Sequence, residues 1–392
     1  MQQSKLLIFN PEHDLAIANG DPHFMAPTSA ITFAQDCAWI PAWIYRHGTI
    51  LCTKIVSKSF LEFCQQLGLN VSPISSLDIT KTSFSEILPW GWNPMIRQKL
   101  QTLKISETLL PTLSQLDDIR HLSHRKRASE AMILLRKYIE KKDKLPQPAQ
   151  ELTSLEDAVQ FLVQYPDAVF KAPLSGSGRG IRWGKESLDT HLRGWIQNTI
   201  QKQGSLFAEK RMKVIQNFAA EFYCHNKINF IGYSLFNTKN AVYEGNFLLS
   251  DTEIEKHLAQ WISLAELNQY LFYLQTILTS MFVGKYYGYI GVDMFIYQEN
   301  NAYKINPMVE INARTTMGCL ARIFYDEFVD KNSAGFLEVK YYPLKNIPNT
   351  SFDPQKILIQ NKKIIEGTIS LSPLGEYSTY QIIATIHRKN KQ

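Results

Sequence analysis

Two strand-like segments near residue 300 carry acidic and amide side chains, and this pattern restricts the fold more than any other. The segments are Gly291–Tyr297 and Met308–Arg314. Glu310 and Asn312 are two residues apart, so on a strand they share a face, and Asp293 lies opposite them if the segments pair as a hairpin. Adjacent carboxylates on an apolar hairpin repel each other and need a compensating cation.

Three oxygen ligands on one sheet face suit a magnesium ion that is held partly by protein and partly by phosphate. The pattern therefore predicts a metal site on an antiparallel hairpin, formed by Asp293, Glu310 and Asn312. The alternative is a structural salt-bridged cluster in which Arg314 supplies the positive charge.

A glycine-rich segment, Pro173–Gly180, lies between two predicted strands, Ala168–Ala172 and Ile181–Trp183. Glycines at such a turn let backbone N–H groups approach phosphate oxygens, which a Cβ would obstruct. Lys171, on the strand that enters the loop, would bring an ammonium group to the same phosphates. The alternative is an ordinary glycine turn that follows a strand with an outward-facing lysine.

Composition and length indicate a soluble globular protein of two or three domains. The chain has 392 residues, of which 45% are hydrophobic and 20% are charged. No apolar stretch reaches the roughly 18 residues that a membrane span needs, so no membrane association is expected. The five cysteines are scattered and odd in number, which favours reduced thiols and a cytoplasmic location.

The net charge of +6 is concentrated in two clusters, His124–Arg127 and His387–Lys391. Neither cluster has the interleaved aromatic residues that accompany a nucleic-acid footprint, so the charges are interpreted as solvated surface. An anionic ligand such as a nucleotide is compatible with this balance. No nucleic-acid partner is expected.

The pattern of apolar residues predicts a fold of the α/β and α+β classes. An αβ sheet domain is expected at residues 1–118, a small α+β unit at 119–205, a larger α+β unit at 206–330, and a strand-rich extension at 331–392. The individual predicted elements include strands at 5–9, 48–52, 206–212 and 356–359, a helix that starts at Asn10–Asp14, and helices at 59–67, 155–164, 187–202 and 262–285.

The order of these motifs resembles the ATP-grasp superfamily over about residues 120–320. A lysine strand and glycine loop are followed by an acidic hinge, Phe207–Lys210, and then by Asp293 and the segment Val309–Arg314. The loop resembles that of biotin-carboxylase-like members, and the last segment resembles the Glu-x-Asn-x-Arg metal signature. The resemblance implies a pre-ATP-grasp-like N-terminal domain, followed by an ATP-grasp fold of two α+β subdomains that carry the glycine loop and the metal site.

The resemblance also implies roles for individual residues. Magnesium would be held by Asp293, Glu310 and Asn312, and the catalytic residues would be Lys171 and Arg314. Nucleotide-binding residues would be Lys126, Lys171, Ser175, Gly176, Ser177, Gly178, Arg179, Gly180, Glu209, Lys210, Met212 and Glu221. Arg125 and Arg127 compete with Lys126 for its role, and Glu221 is alternatively an edge-strand surface residue.

The activity implied by the resemblance is that of a carboxylate–amine ligase. Its cofactors would be ATP and Mg²⁺, with Mn²⁺ as an alternative metal, and its partners a small-molecule or peptide carboxylate and an amine-type nucleophile. A kinase on the same fold and a non-catalytic nucleotide-binding regulator are the competing hypotheses. Outside the motifs, His13 and Asp14 are interpreted as a substrate site or as helix-capping residues.

Overall fold

The computed structural model describes residues 4–140, 144–176, 178–239, 242–343, 354–373 and 378–389. The chain forms two compact units. The N/C unit contains Met1–Leu116, Glu244–Ile254 and Arg314–Gln392, and the central unit contains Asp117–Tyr243 and Glu255–Ala313. None of the helices in the described ranges combines the length and apolarity that crossing a bilayer requires.

Strands and helices account for most of the described residues. The strands are β1 (Ser4–Ile8), β2 (His47–Leu51), β3 (Asn70–Ile74), β4 (Phe84–Pro89), β5 (Gln150–Leu152), β6 (Asp167–Lys171), β7 (Ile181–Lys185), β8 (Leu206–Lys210), β9 (Lys213–Cys224), β10 (Ile228–Lys239), β11 (Val242–Leu248), β12 (Gly288–Glu299), β13 (Ala302–Asn312), β14 (Ser333–Tyr341), β15 (Leu358–Gln360), β16 (Lys363–Ser370) and β17 (Tyr380–Arg388). The helices are α1 (His13–Asn19), α2 (Thr28–Asp36), α3 (Ala42–Tyr45), α4 (Lys58–Gln66), α5 (Pro94–Thr102), α6 (Leu113–Leu122), α7 (Lys126–Tyr138), α8 (Leu155–Gln164), α9 (Thr190–Gln203), α10 (Asp251–Leu258), α11 (Leu264–Phe282) and α12 (Met317–Phe328).

A parallel sheet with strand order β3-β2-β1-β4 organises the N-terminal part of the N/C unit. Leu6, Leu7 and Ile8 of β1 are all buried, as expected for a central strand covered on both faces. Because β2 and β4 flank β1 on opposite sides, the strand order reverses at β1 and β4. Ligands of open α/β sheets bind at such a switch point, beyond the carboxyl ends of the strands.

The central unit contains two antiparallel sets of strands. The smaller, β5-β8-β6-β7, packs its apolar face against α8 and α9, where Phe170, Ile196 and Leu206 are fully buried. In the larger set, β9 lies between β12 and β10, and β13 pairs with the other edge of β12. In the N/C unit, β14, β15, β16 and β17 also pair antiparallel, in the order β14-β17-β16-β15.

The predicted fold class is confirmed, and most predicted elements form close to their predicted positions. The exceptions have local causes. The helix expected from Asn10 begins at His13, because the Asn10 side chain bonds to a distant loop instead of capping the helix. The helix expected from residue 187 begins at Thr190, where the Asp189 side chain accepts a hydrogen bond from Leu192 N–H. The predicted four-part division of the chain remains a prediction.

Candidate active site

Lys171 is the last residue of β6, and it lies inside the central unit. Antiparallel pairing of β6 with β8 sets Lys171 opposite Phe207 and Val169 opposite Glu209. The Lys171 ammonium group forms an ion pair with the Glu209 carboxylate, and only 5% of Lys171 is exposed. The interpretation of Lys171 as an outward-facing residue is therefore wrong.

Arg125 is a second buried cation in the same region, immediately before α7. Its Nε donates to the Ala172 carbonyl at 2.9 Å, and its Nη2 lies 3.3 Å from Ser175 Oγ and 3.1 Å from Glu310 Oε1. Arg125 thus connects the lysine strand, the glycine loop and a predicted metal ligand. Its Nη1 is buried and has no hydrogen-bond partner among the described residues.

A cavity of the central unit combines these charges with apolar side chains. It is lined by Arg125, Ala128, Ser129, Met132, Gln147, Pro148, Ala149, Lys171, Glu209, Asn306, Met308 and Val309. Methionine, proline and valine side chains suit the flat apolar surface of a base, while two buried cations suit a polyphosphate. The lining therefore offers the residue types that the base and the phosphates of a nucleotide need.

The predicted metal residues lie on the paired strands β12 and β13. Asp293 pairs with Glu310 and Gly291 pairs with Asn312, so the expected hairpin and its shared face are present. Asn312 Nδ2 donates to Asp293 Oδ2 at 3.4 Å. Within the described ranges no three His, Cys, Asp or Glu side chains form a metal-binding group. Two carboxylates and an amide match magnesium that also takes phosphate oxygens, because Mg²⁺ usually retains non-protein ligands.

Glu221 lies on β9, between two other strands, and is only 1% exposed. The interpretation of Glu221 as an edge-strand surface residue is therefore wrong. Register places it opposite Gly291 on β12, in the row that continues to Asn312 on β13, so it shares the face of the predicted metal residues. Ser234 Oγ donates to its carboxylate at 2.9 Å. Burial, with a smaller contribution from the Glu221 charge, raises the pKa of Tyr243.

The glycine loop is closed by backbone hydrogen bonds. Ala172 N–H donates to the Gly180 carbonyl at 2.8 Å, and Arg179 N–H donates to the Gly176 carbonyl at 3.2 Å. Gly178 has a φ of 71°, and a Cβ on Gly180 would lie 2.3 Å from Ser175 Cβ, so both positions favour glycine. Ser177, also predicted to bind nucleotide, lies outside the described residues.

The remaining predicted nucleotide residues are less enclosed. Lys126, the first residue of α7, points to Glu151 Oε2 at 2.9 Å and does not line the cavity. Lys210 pairs with Glu299 Oε1 at 2.8 Å and is half exposed. Met212 follows β8, and its carbonyl accepts a hydrogen bond from Val214 at 3.0 Å. The nucleotide roles of Lys126, Lys210 and Met212 remain predictions, whereas Arg125 lies inside the cavity.

Arg314, predicted to be catalytic, lies in the N/C unit and pairs with Asp14. Its Nε and Nη2 donate to the two carboxylate oxygens of Asp14, each at 2.7 Å, and its Nη1 donates to the Thr315 carbonyl at 3.1 Å. The two side chains are 15% and 21% exposed. The sequence contains no signal for this pair, because 300 residues separate its members.

The loops after β1 and β4 are joined around the start of α1. Asn10 Nδ2 donates to the Gly91 carbonyl at 2.8 Å, and Gly91 N–H lies 3.3 Å from Asn10 Oδ1. Asn93 Nδ2 lies 3.2 Å from His13 Nδ1. Burial lowers the pKa of His13 to about 4, with Arg314 also lowering it and Asp14 opposing the shift, so the imidazole is neutral at pH 7.

Comparisons with known proteins identify the fold. No family profile matches the sequence, and no curated protein matches it. The structure is similar to biotin carboxylase from Campylobacter jejuni in a β-γ-ATP complex, with a TM-score of 0.54, 12% identity, and coverage of 99% of this chain and 88% of that one. It is also similar to N5-carboxyaminoimidazole synthetase from Staphylococcus aureus with ADP, with a TM-score of 0.52, 12% identity, and coverage of 99% and 94%.

A third similar structure is the biotin carboxylase domain of 2-oxoglutarate carboxylase from Hydrogenobacter thermophilus, in complex with MgADP, ADP and bicarbonate. The TM-score is 0.51 at 13% identity, with coverage of 98% of this chain and 86% of that one. The chain therefore has the ATP-grasp fold, and the fold implied by the sequence motifs is confirmed.

Proposed function

We propose that this chain, which has the ATP-grasp fold, is an ATP- and magnesium-dependent ligase that activates a carboxylate for attack by an amine or similar nucleophile. The main support for this proposal is the cavity, in which two buried cations, Lys171 and Arg125, are both paired with carboxylates. A buried cation is unfavourable unless it has an anionic partner. Phosphate groups of a nucleotide would therefore be suitable partners for Lys171 and Arg125 in place of these carboxylates. The three similar structures contain nucleotides, which supports the assignment of ATP.

Lys171 and Arg125 would bind the phosphates of ATP, and Glu209 would keep Lys171 oriented before the nucleotide arrives. Loop residues 174–180 would cover the phosphates with backbone N–H groups and limit the access of water. The apolar lining, including Met132 and Met308, would contact the base. Hydrogen-bonded cations that already point into a cavity need little reorganisation when the phosphates bind.

Magnesium would be held by Asp293, Glu310 and Asn312, whose oxygen atoms on one strand face match its preference for hard ligands. When bound, it would offset negative charge on the phosphate groups. Arg125, whose Nη2 lies 3.1 Å from Glu310 Oε1, also offsets part of the negative charge of Glu310. Mn²⁺ accepts similar ligands and is the alternative metal.

The chemistry assigned to this site begins with a carboxylate oxygen that attacks the γ-phosphorus of ATP. The bond between that phosphorus and the β–γ bridging oxygen breaks, which releases ADP and leaves an acyl phosphate. The lone pair of an amine nitrogen then attacks the acyl carbon, inorganic phosphate leaves, and the nitrogen loses a proton. Arg314 would contact the carboxylate or the transferring phosphoryl group, since a guanidinium matches both geometries.

A screen for carboxylate-dependent ADP release tests this proposal. Purified protein with ATP and Mg²⁺ is incubated with amino acids, peptides and small carboxylates, in the presence and absence of amines, and parallel reactions contain Mn²⁺. With the best carboxylate labelled with ¹⁸O, one label should appear in the inorganic phosphate, because an acyl phosphate transfers its bridging oxygen on cleavage at the acyl carbon. A stable phosphorylated product without phosphate release would instead identify a kinase, and absence of ADP release would reject both activities.

A further inference from the structure

We infer that Asp14 is a positioning residue, whose carboxylate holds the Arg314 guanidinium in the orientation that the reaction requires. This inference rests on the proposed function, in which Arg314 contacts the acceptor carboxylate or the transferring phosphoryl group. Asp14 itself does not need to touch either group. It acts through Arg314.

The geometry of the pair fixes the plane of the guanidinium. Both oxygens of Asp14 accept hydrogen bonds from Arg314, from Nε and Nη2, and each bond is 2.7 Å long. A two-point contact of this kind sets the direction of the group as well as its distance, which a single hydrogen bond does not. The third nitrogen, Nη1, donates to the Thr315 carbonyl at 3.1 Å. The pair is largely buried, so solvent screens it less than an exposed ion pair.

Asp14 is itself held in place by the loops of the parallel sheet. It is the second residue of α1, directly after His13, whose ring lies 3.2 Å from the Asn93 amide. Asn10, four residues before Asp14, bonds both polar backbone atoms of Gly91. A Cβ on Gly91 would lie 2.5 Å from His13 Nδ1, so only glycine lets the loop approach this closely.

Arg314 is anchored to the same loop by a separate contact. Thr315 N–H donates to the Trp90 carbonyl at 3.0 Å, so the segment that carries Arg314 is tied to the loop that holds His13 and Asn10. Both members of the Asp14–Arg314 pair are therefore attached, through neighbouring residues, to the loop that follows β4. This arrangement stands at the carboxyl ends of β1 and β4, the position at which open parallel sheets bind ligands.

An arginine held in this way is preorganised, because its long side chain has already lost most of its freedom before substrate binds. The structure assigns this task to Asp14. A loss of the Asp14 charge therefore reduces the reaction only through Arg314. A residue that merely stabilises the fold would reduce activity whether or not Arg314 is present.

A double-mutant cycle tests the inference, with Asp14→Asn, Arg314→Lys and the double variant assayed with ATP–Mg²⁺ and the carboxylate that supports the fastest ADP release. Misplacement of a reacting group by about 1 Å costs up to roughly 100-fold, so Asp14→Asn is expected to lower kcat/KM for that carboxylate by about 10- to 100-fold. The KM for ATP should stay unchanged. In the Arg314→Lys background, Asp14→Asn should have almost no further effect. Equal effects of Asp14→Asn in both backgrounds would overturn the inference.

Two further variants separate positioning from stability. Asp14→Glu keeps a carboxylate that can accept two hydrogen bonds, so it should recover part of the lost kcat/KM. Glu327→Gln removes a 2.5 Å pair with Arg46 in the same unit, and it should leave kcat/KM unchanged. If Glu327→Gln lowers kcat/KM as much as Asp14→Asn does, loss of any ion pair explains the result and the inference is wrong.

Chemical labelling gives a readout that does not depend on turnover. Phenylglyoxal, which modifies guanidinium groups, is used as the probe, and the rate at Arg314 is followed by mass spectrometry. At a temperature well below the melting point of every variant, Asp14→Asn should increase that rate severalfold, whereas Glu327→Gln should not. If no carboxylate supports ADP release, the proposed ligase activity is rejected, but the labelling still tests whether Asp14 holds Arg314. Equal labelling rates in wild type and Asp14→Asn would overturn the inference.

Discussion

The cavity of the central unit and the strand-end loops of the N/C unit both bury polar side chains, but these side chains have different kinds of partners in the two regions. In the cavity, full charges pair with full charges, as in Lys171 with Glu209 and Arg125 with Glu310. Around α1, neutral groups do most of the bonding, as between Asn10 and Gly91. One region has charges that an anion or a cation can take over, whereas the other has contacts that fix geometry.

The difference suggests a division of tasks. A buried ion pair gains little net stability, because desolvation offsets most of its attraction, so its partners can be exchanged for a phosphate or a metal at small cost. A neutral, satisfied hydrogen bond next to a tightly packed glycine has no such exchange available. Substitutions in the cavity should therefore change binding and turnover more than stability. Substitutions of the neutral groups that fix the loop, Asn10, His13 and Gly91, should do the opposite.

The largest effect is expected for Glu310→Gln in the central unit. The substitution keeps size and polarity but removes a negative charge from the predicted metal site, so turnover should fall by orders of magnitude while ATP affinity changes much less. The melting temperature should fall, because buried Arg125 loses its charged partner, but the protein should stay folded, since Arg125 keeps its bonds to Ala172 and Ser175. Steady-state kinetics and thermal melting measure both, with Glu130→Gln, which loses its pair with Arg127 on α7, as the matched control. Wild-type turnover in Glu310→Gln would reject the metal assignment.

A smaller but clear effect is expected for Gly91→Ala in the N/C unit. The new methyl group would lie 2.5 Å from His13 Nδ1, and overpacking of this kind costs up to about 3 kcal/mol of unfolding free energy. Gly194→Ala is the matched control, because nothing lies within 4 Å of a Cβ there. Gly194 is inside α9, where alanine should stabilise by about 1 kcal/mol. Urea unfolding compares the two, and similar free energies for Gly91→Ala and wild type would contradict the fixed geometry of the loop.

The buried His13 gives a pH dependence of stability in the N/C unit. Its pKa is about 4 in the folded protein, below the ordinary 6.5, so the unfolded state binds the proton more readily between these values. Stability contributed by the neutral ring is present above pH 6.5 and is lost as pH falls toward 4, by up to about 3 kcal/mol. His13→Gln should flatten this part of the profile, whereas His23→Gln, at an exposed position, should not. Parallel profiles for wild type and His13→Gln would show that another group causes the loss.

Local patterns made the fold and the metal hairpin predictable from sequence. The alternation in β12 and β13 sets which side chains share a face, so Asp293 opposite Glu310 followed from spacing alone. The α8 helix, Leu155–Gln164, has the predicted bounds, and a capping box formed by Ser154 and Asp157 explains where it begins. Where a contact lies within one element or its immediate neighbour, the sequence contains the information.

The less predictable features depend on contacts between distant segments. Arg125 and Lys126 are adjacent and both basic. In the folded chain Arg125 lines the cavity, whereas Lys126, the first residue of α7, pairs with Glu151. The pairing of Asp14 with Arg314 joins the first and the last segment of the N/C unit, and no periodicity in the sequence predicts it. Residue types alone could not choose between these arrangements, because tertiary packing sets them.

The most direct test of the proposed nucleotide site is the thermal melting of the protein with ATP and Mg²⁺. A ligand that binds only the folded state adds about 2.7 kcal/mol at a hundredfold excess over its dissociation constant, so the melting temperature should rise with ATP concentration. Lys171→Ala should lose most of that rise, whereas Lys185→Ala, at an exposed position on β7, should retain it. No shift at millimolar ATP and Mg²⁺, or an equal shift in Lys171→Ala, would contradict the assignment of the cavity to ATP.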